Sequence, residues 1–150
     1  MKKRIGVFLC WCGSNIAEVI NVDQVMSTVK VYPEVAFAEY YKYFCSEPGQ
    51  EIVINAIKKY KLDGIVIAAC SPSMHETTFR RAASKAGLNE YKCEIANIRE
   101  QCSWVHRMRK EEATQKAIQI IAGMVEKVKR NKPLKSDSNN LLRMYYHRSN

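Results

Sequence analysis

The sequence predicts an α/β fold: a mostly parallel four-stranded sheet with helices on both faces, of the Rossmann or flavodoxin kind. Three observations predict it. Short β-rich apolar runs alternate with segments of helical periodicity along the body of the chain. The run Gly64-Ile65-Val66-Ile67-Ala68-Ala69 is apolar throughout, as a strand buried on both faces must be. Ser46-Glu47-Pro48 and Ser71-Pro72-Ser73 then read as helix starts directly after strand ends, with serine as the cap and proline in the first turn. A βαβαβαβα order implies right-handed crossovers and brings the loops after the strands to one edge of the sheet.

The elements follow in order. Arg4–Leu9 is a short apolar strand, broken by Gly13-Ser14-Asn15. Val22, Val25, Met26 and Val29 recur at helical spacing, with Asp23 favourably placed in the first turn. Tyr32-Pro33 ends that helix, because proline disfavours helical geometry in the residue before it. Val35–Tyr41 alternates and is aromatic, so it reads as the second strand. Ile52, Ile54, Ala56 and Ile57 give the next helix its apolar face, and Lys58–Lys61 its cationic end. The central strand 64–69 precedes a helix that runs to Lys85 or Ala86 and stops at Gly87. Tyr91–Ala96 is a weaker fourth strand. A last helix or helix pair covers Arg99 to about Arg130, with Ala117, Ile120, Ile121, Met124, Val125 and Val128 as its buried stripe.

At 150 residues the chain has the length of one ordinary domain, expected over residues 1–131. Residues 132–150 lack periodicity and read as a basic, flexible tail. Seven Lys/Arg against Asp137 give residues 127–150 a charge of +6 out of the total +9. A basic terminus of this kind is most often simply solvated, and no aromatic-interleaved basic surface accompanies it, so no nucleic-acid partner is expected. The opening MKKRIGVFLCWCG has too short an apolar run, and no small-residue cleavage site, to be a secretion signal. No run approaches the roughly 18 apolar residues that suggest a membrane span. The expectation is a cytoplasmic protein whose cysteines are thiols or metal ligands rather than disulfides.

Five of the six cysteines, Cys10, Cys12, Cys45, Cys70 and Cys102, fall where a strand ends and a turn or helix begins. Open α/β sheets bind their ligands at that edge. Soft thiolates converging there are what an iron–sulfur cluster requires. In the extended Cys10-Trp11-Cys12, residues i and i+2 point the same way, so both sulfurs can face one site. Gly13 allows close backbone approach, and the amides after it can donate to sulfur, which makes it a candidate cofactor contact. Cys45-Ser46 and Cys70-Ser71 lead into helix N-termini, which favour negative charge; Ser71 is the second candidate contact. Cys93 falls inside a strand and reads as a small core residue. Zinc suits a thiolate site equally well, although its sites more often join short C-x-x-C hairpins. The loop after the first strand lacks G-x-G-x-x-G and the P-loop lysine. His75 and His106 read as surface or capping histidines, and no catalytic constellation can be argued from spacing. Trp11 and Trp104 each flank a candidate ligand, with core packing as the default role.

The segments GVFLCWCGSNI, YFCSEPGQE, VIAACSPSMHETTFRRA and above all ANIREQCSWVH closely resemble the amino-terminal domain of the A-type subunit of heterodisulfide reductase. That subunit occurs in methanogens and other anaerobes. The resemblance spans about residues 3–130 with the motifs in family order. It implies an iron–sulfur domain, with a 4Fe-4S cluster expected, that precedes an FAD domain in the full subunit of an electron-bifurcating complex. Cys10, Cys12, Cys45, Cys70 and Cys102 match the family pattern, and four of them would ligate. Trp11 stands where the family commonly has histidine, and Thr77 where it commonly has proline. The Gly-rich fingerprint of the FAD domain does not follow, so no FAD is expected in this chain alone. The resemblance implies an electron-transfer module that relays electrons to or from a flavoprotein or iron–sulfur partner in such a complex, with a homodimer left open. It is part of an oxidoreductase system and not expected to be catalytic alone. The alternatives are a cluster-free docking or assembly module, a small flavin- or thiol-dependent reductase, and a truncated product without independent activity.

Overall fold

The computed structural model describes residues 2–135. Its strands are β1 (Ile5–Cys10), β2 (Val35–Tyr41), β3 (Gly64–Ala69) and β4 (Cys93–Asn97). The helices are α1 (Gly13–Ile16), α2 (Val22–Lys30), α3 (Glu47–Tyr60), α4 (Pro72–Lys85) and α5 (Lys110–Arg130). All the strand pairings are parallel, in the order β2-β1-β3-β4. Every residue of β1 and β3 is buried, whereas β2 is a half-exposed edge. The sequence expectation of a parallel α/β sheet with an apolar central strand is met.

Side chains alternate along each strand, so the sheet supports two cores. Ile5, Val7 and Leu9 of β1, with Val66 and Ala68 of β3, pack against Val25 and Val29 of α2 and Ala117, Ile121 and Val125 of α5. Phe8 and Cys10, with Ile65, Ile67 and Ala69, face Val53 and Ile57 of α3 and Phe79 and Ala83 of α4. The strand order explains this division. The chain leaves β1 toward β2 on one side, then returns past β1 to β3 and on to β4. Crossovers of one hand that travel in opposite directions must lie on opposite faces.

Local chemistry sets the helix ends. Asn21 caps α2 by accepting from the Gln24 amide at 3.1 Å. Ser46 caps α3, accepting from the Gly49 amide at 3.3 Å, and Pro48 occupies the first turn. Ser71 caps α4, accepting from the Ser73 amide at 3.3 Å. Glu111 and Glu112 open α5, and Lys127, Lys129 and Arg130 close it, each sign matched to the helix dipole.

Four details depart from the sequence expectations. The fourth strand, expected over Tyr91–Ala96, is Cys93–Asn97, because Asn89 accepts from the Tyr91 amide at 3.0 Å and starts a 3-10 turn over Glu90–Lys92. The first strand runs one residue later, so that Cys10 is its last member. Gly13-Ser14-Asn15, expected only as a break, forms the single turn α1 with Gly13 at φ +47°, a conformation that glycine adopts without strain. The segment from Arg99 is not continuous helix. A π-helical turn, Arg99–Ser103, precedes α5, because the buried Asn97 carboxamide accepts from the amides of Arg99 (3.2 Å) and Glu100 (3.0 Å). Residues 132–135 follow α5 without regular structure, and the Leu134 carbonyl accepts from Asn89 at 2.9 Å. The rest of the expected tail, 136–150, lies outside the described residues. Among the described residues no helix is long and apolar enough to cross a membrane.

Gly49 is where α3 lies closest to the loop before it. A Cβ there would meet the Tyr43 carbonyl oxygen and stand 2.5 Å from the Phe44 Cα. Neither backbone atom can yield as a flexible side chain would. Gly49→Ala is therefore expected to destabilise the fold by about 1–3 kcal/mol, the usual range for overpacking. Urea unfolding followed by circular dichroism measures it, and an unchanged midpoint would contradict this packing.

Candidate functional site

The order β2-β1-β3-β4 reverses the chain's direction of travel between β1 and β3, and a crevice opens beyond the carboxyl ends of strands at such a point. Four of the predicted cysteines line a cavity of about 200 Å³ there. Cys10 ends β1, and Cys12 follows it two residues on with its side chain toward the same cavity. Trp11, between them, packs instead against the α2/α5 core. Cys45 comes from the loop after β2, and Cys70 directly follows β3. Tyr43, Met74, His75, Phe79 and Arg99 complete much of the wall.

The loops that present these thiols are held firmly. The Cys45 carbonyl accepts from the Gln50 side chain at 2.9 Å, and the Ser46 hydroxyl donates to the Tyr43 carbonyl at 2.6 Å. The Cys10 thiol donates to the Lys42 carbonyl at 3.3 Å, tying β1 to the loop after β2. Ser71, expected to contact a cofactor, has its hydroxyl engaged with the Ser73 amide and, at 2.8 Å, the Ser73 hydroxyl. Gly13 lies exposed just beyond Cys12, with open space where a Cβ would stand.

Cys102 stands apart from this group. It is fully buried in the core on the α2/α5 side, and its thiol donates to the Ala113 carbonyl at 3.1 Å. The structure thus brings together four of the five cysteines expected to converge. Cys93 is 1% exposed within the α3/α4 core, as its place in a strand implies. All six cysteines are free thiols.

Burial favours the neutral thiol at Cys10 and Cys70. Burial pushes the Cys10 thiol up to about 12, against the opposing Phe44 amide, and the other cavity cysteines would repel its charge. Burial also raises Cys70, while Arg99 pulls the other way. Cys93 and Cys102 are pushed up by burial as well, to about 12 and about 11. Among the described residues no group of three His, Cys, Asp or Glu is arranged to hold a single metal ion. The donor chemistry nevertheless fits an iron–sulfur cluster: four soft sulfur donors, an amide directed at one of them, and two capped helix starts beside the others.

Sequence reasoning missed part of this wall. His75, expected at the surface or as a cap, is half-buried in the lining with its ring edge toward Phe79. Arg99 was not singled out at all. A residue just past a strand end, next to the carboxylate of Glu100, was the available signal. His106 does act locally, hydrogen-bonding the Cys102 carbonyl through Nδ1 at 2.9 Å.

Comparison with known proteins bears on this geometry. An iron–sulfur subunit of heterodisulfide reductase from Methanopyrus kandleri, of the A type, is 49% identical over 127 residues, 85% of this chain. The corresponding subunit of Methanocaldococcus jannaschii is 45% identical over 130 residues, 87% of the chain. The chain is homologous to the A-type subunit of heterodisulfide reductase. A heterodisulfide reductase A-like protein of Archaeoglobus profundus is similar too, 47% identical over 131 residues, 87% of the chain. The chain spans about a fifth of the length of these relatives. No protein-family model matches it. The family resemblance drawn from the cysteine motifs therefore holds across most of the chain.

The burial of the thiols makes a chemical prediction. In metal-free, reduced protein at pH 8, iodoacetamide should modify the half-buried Cys12 and Cys45 first. Cys10, Cys93 and Cys102 should lag, because both access and thiolate fraction are reduced. Peptide mass spectrometry over a time course reads the order, and early labelling of Cys102 would contradict its placement.

Proposed function

We propose that this chain is an electron-transfer module of a heterodisulfide reductase-like complex, with an iron–sulfur cluster held by Cys10, Cys12, Cys45 and Cys70. The observation that carries the proposal is the convergence of these four thiols, from three separate loops, on one cavity at the switch point of the sheet. The names of the Methanopyrus and Methanocaldococcus relatives, which describe iron–sulfur subunits, support it. When bound, a 4Fe-4S cluster would supply reversible one-electron chemistry.

The remaining work falls to the chain's own residues. The four cysteines would give up their protons to become ligands, so assembly releases protons and is favoured by alkaline pH. Burial raises Cys10 and Cys70, which keeps the metal-free thiols protonated and weakly nucleophilic. That supports a cluster scaffold over a thiol-dependent reductase. Phe79 gives the cavity an apolar wall, and the Phe44 amide is directed at Cys10. Partners in this reading are other components of the complex, a flavoprotein or an iron–sulfur protein, and the chain works in the cytoplasm. In this reading residues 1–131 form the cluster domain.

Anaerobic purification followed by iron and acid-labile sulfide assay tests the proposal. Serine at Cys10, Cys12, Cys45 or Cys70 should lower bound iron to less than half. Cys93→Ser should leave it unchanged, and so should Cys102→Ser, which retains a donor for the Ala113 carbonyl. Zinc without sulfide would replace the cluster with a mononuclear site, and no metal at all would favour a cluster-free docking module.

A second expectation concerns flavin. The loop after β1 carries Cys-Trp-Cys-Gly-Ser-Asn in place of a dinucleotide fingerprint. Titration with micromolar FAD should give no saturable fluorescence quenching. Stoichiometric quenching would make the carboxyl edge a nucleotide site.

A further inference from the structure

We propose that Arg99 is a charge-tuning residue of the four-cysteine site, positioned by Glu100, Met74 and Trp104 to stabilise the more electron-rich state of the bound group. The inference rests on the cluster assignment above and extends it to a residue that donates no ligand atom.

Arg99 lines the same cavity as Cys10, Cys12, Cys45 and Cys70, and its side chain is only 15% exposed. It is the permanent cation among the described residues of that lining. Three side chains fix the guanidinium. Nε donates to Glu100 Oε1 at 2.9 Å, Nη2 donates to Met74 Sδ at 3.2 Å, and the guanidinium lies 4.8 Å from the centre of the Trp104 ring. Trp104 is anchored in turn, its indole N–H donating to Asn15 Oδ1 at 3.1 Å, in the turn that follows Cys12. The loop after β4 is thereby pinned to the loop after β1, with Arg99 between them.

A half-buried ion pair of this kind is a weak source of stability, since desolvation offsets much of the attraction. Structure alone therefore gives a poor reason for placing a guanidinium beside four thiols. Charge gives a better one. Adding one electron to the bound group adds one negative charge, with no bond made or broken. A cation held nearby in a partly dry cavity favours that state, and a carboxylate opposes it. Arg99 lines the cavity and Glu100 does not, so the pair presents its positive end to the site.

This arrangement predicts effects of opposite sign. The full chain would be reconstituted anaerobically with ferrous iron and sulfide, then titrated with dithionite under electron paramagnetic resonance. Arg99→Gln should shift the midpoint potential downward, Glu100→Gln should shift it upward, and Arg99→Lys should remain near the wild-type value. A merely structural Arg99 would not produce opposite shifts from its two halves. Equal potentials throughout, or both glutamine variants shifting the same way, overturn the proposal. If Arg99→Gln cannot retain iron, an absent or downward shift in Glu100→Gln overturns it alone, and an upward one sustains it. Wild-type protein without iron and sulfide would defeat the cluster assignment itself, whereas a loaded protein with unmoved potentials would defeat only the role of Arg99.

Discussion

Four thiols share one cavity because β1 has neighbours reached from opposite directions. The chain passes from β1 to β2 over one face of the sheet and from β2 to β3 over the other. The loops after β1 and β3 consequently diverge, and a crevice remains between them. Cys10 and Cys12 stand on one lip and Cys70 on the other, while the loop from β2 brings Cys45 across. Nothing in this requires the cysteines to be near in sequence. It requires β1 to be central, which its unbroken burial secures, and the loop after β2 to be short and well braced.

That bracing explains several residues that carry no chemistry. Gly49 permits α3 to start hard against the backbone of Tyr43 and Phe44, so Ser46 can cap the helix while Cys45 faces the cavity. The Gln50 side chain holds the Cys45 carbonyl from one turn inside the helix. On the far side, Asn97 turns the chain out of β4 and starts the π-helical turn, which sets Arg99 into the cavity wall and sends Cys102 the other way. One carboxamide thus separates the two residues of ANIREQCSWVH with the most chemistry to offer.

Apolar runs, together with period-two alternation, are what make the fold and much of the site legible. Unbroken apolarity puts the run 64–69 at the centre, a place inside a strand makes Cys93 a core residue, and the i, i+2 spacing turns Cys10 and Cys12 together. Where alternation stops, sequence reasoning lost its hold. Cys102 follows β4 through a π-helical turn, and no simple period says which face of the sheet its side chain joins. Gly13-Ser14-Asn15 has the composition of a break and the backbone of a single helical turn. His75 is one turn into α4, and only the packing of that helix over the cavity reveals that it belongs to the wall.

Burial gives the site its chemical character. Cys10 and Cys70 resist ionisation, first because burial strips their hydration and also because ionised neighbours repel. Left alone, such cysteines are poor nucleophiles, which argues against disulfide exchange as their purpose. A bound metal centre would reverse that balance by adding positive charge to that of Arg99, and the ligating thiols would then give up their protons. The same low polarity then amplifies any fixed charge nearby. In the proposed reading, Arg99 and Glu100 belong to the electrostatics of the centre rather than to a surface ion pair. Trp104, 45% exposed and stacked on that guanidinium, puts this charge at the boundary between the cavity and the solvent. A partner that covered Trp104 would dry the boundary and strengthen the influence of Arg99, so docking and redox tuning would act through the same three residues.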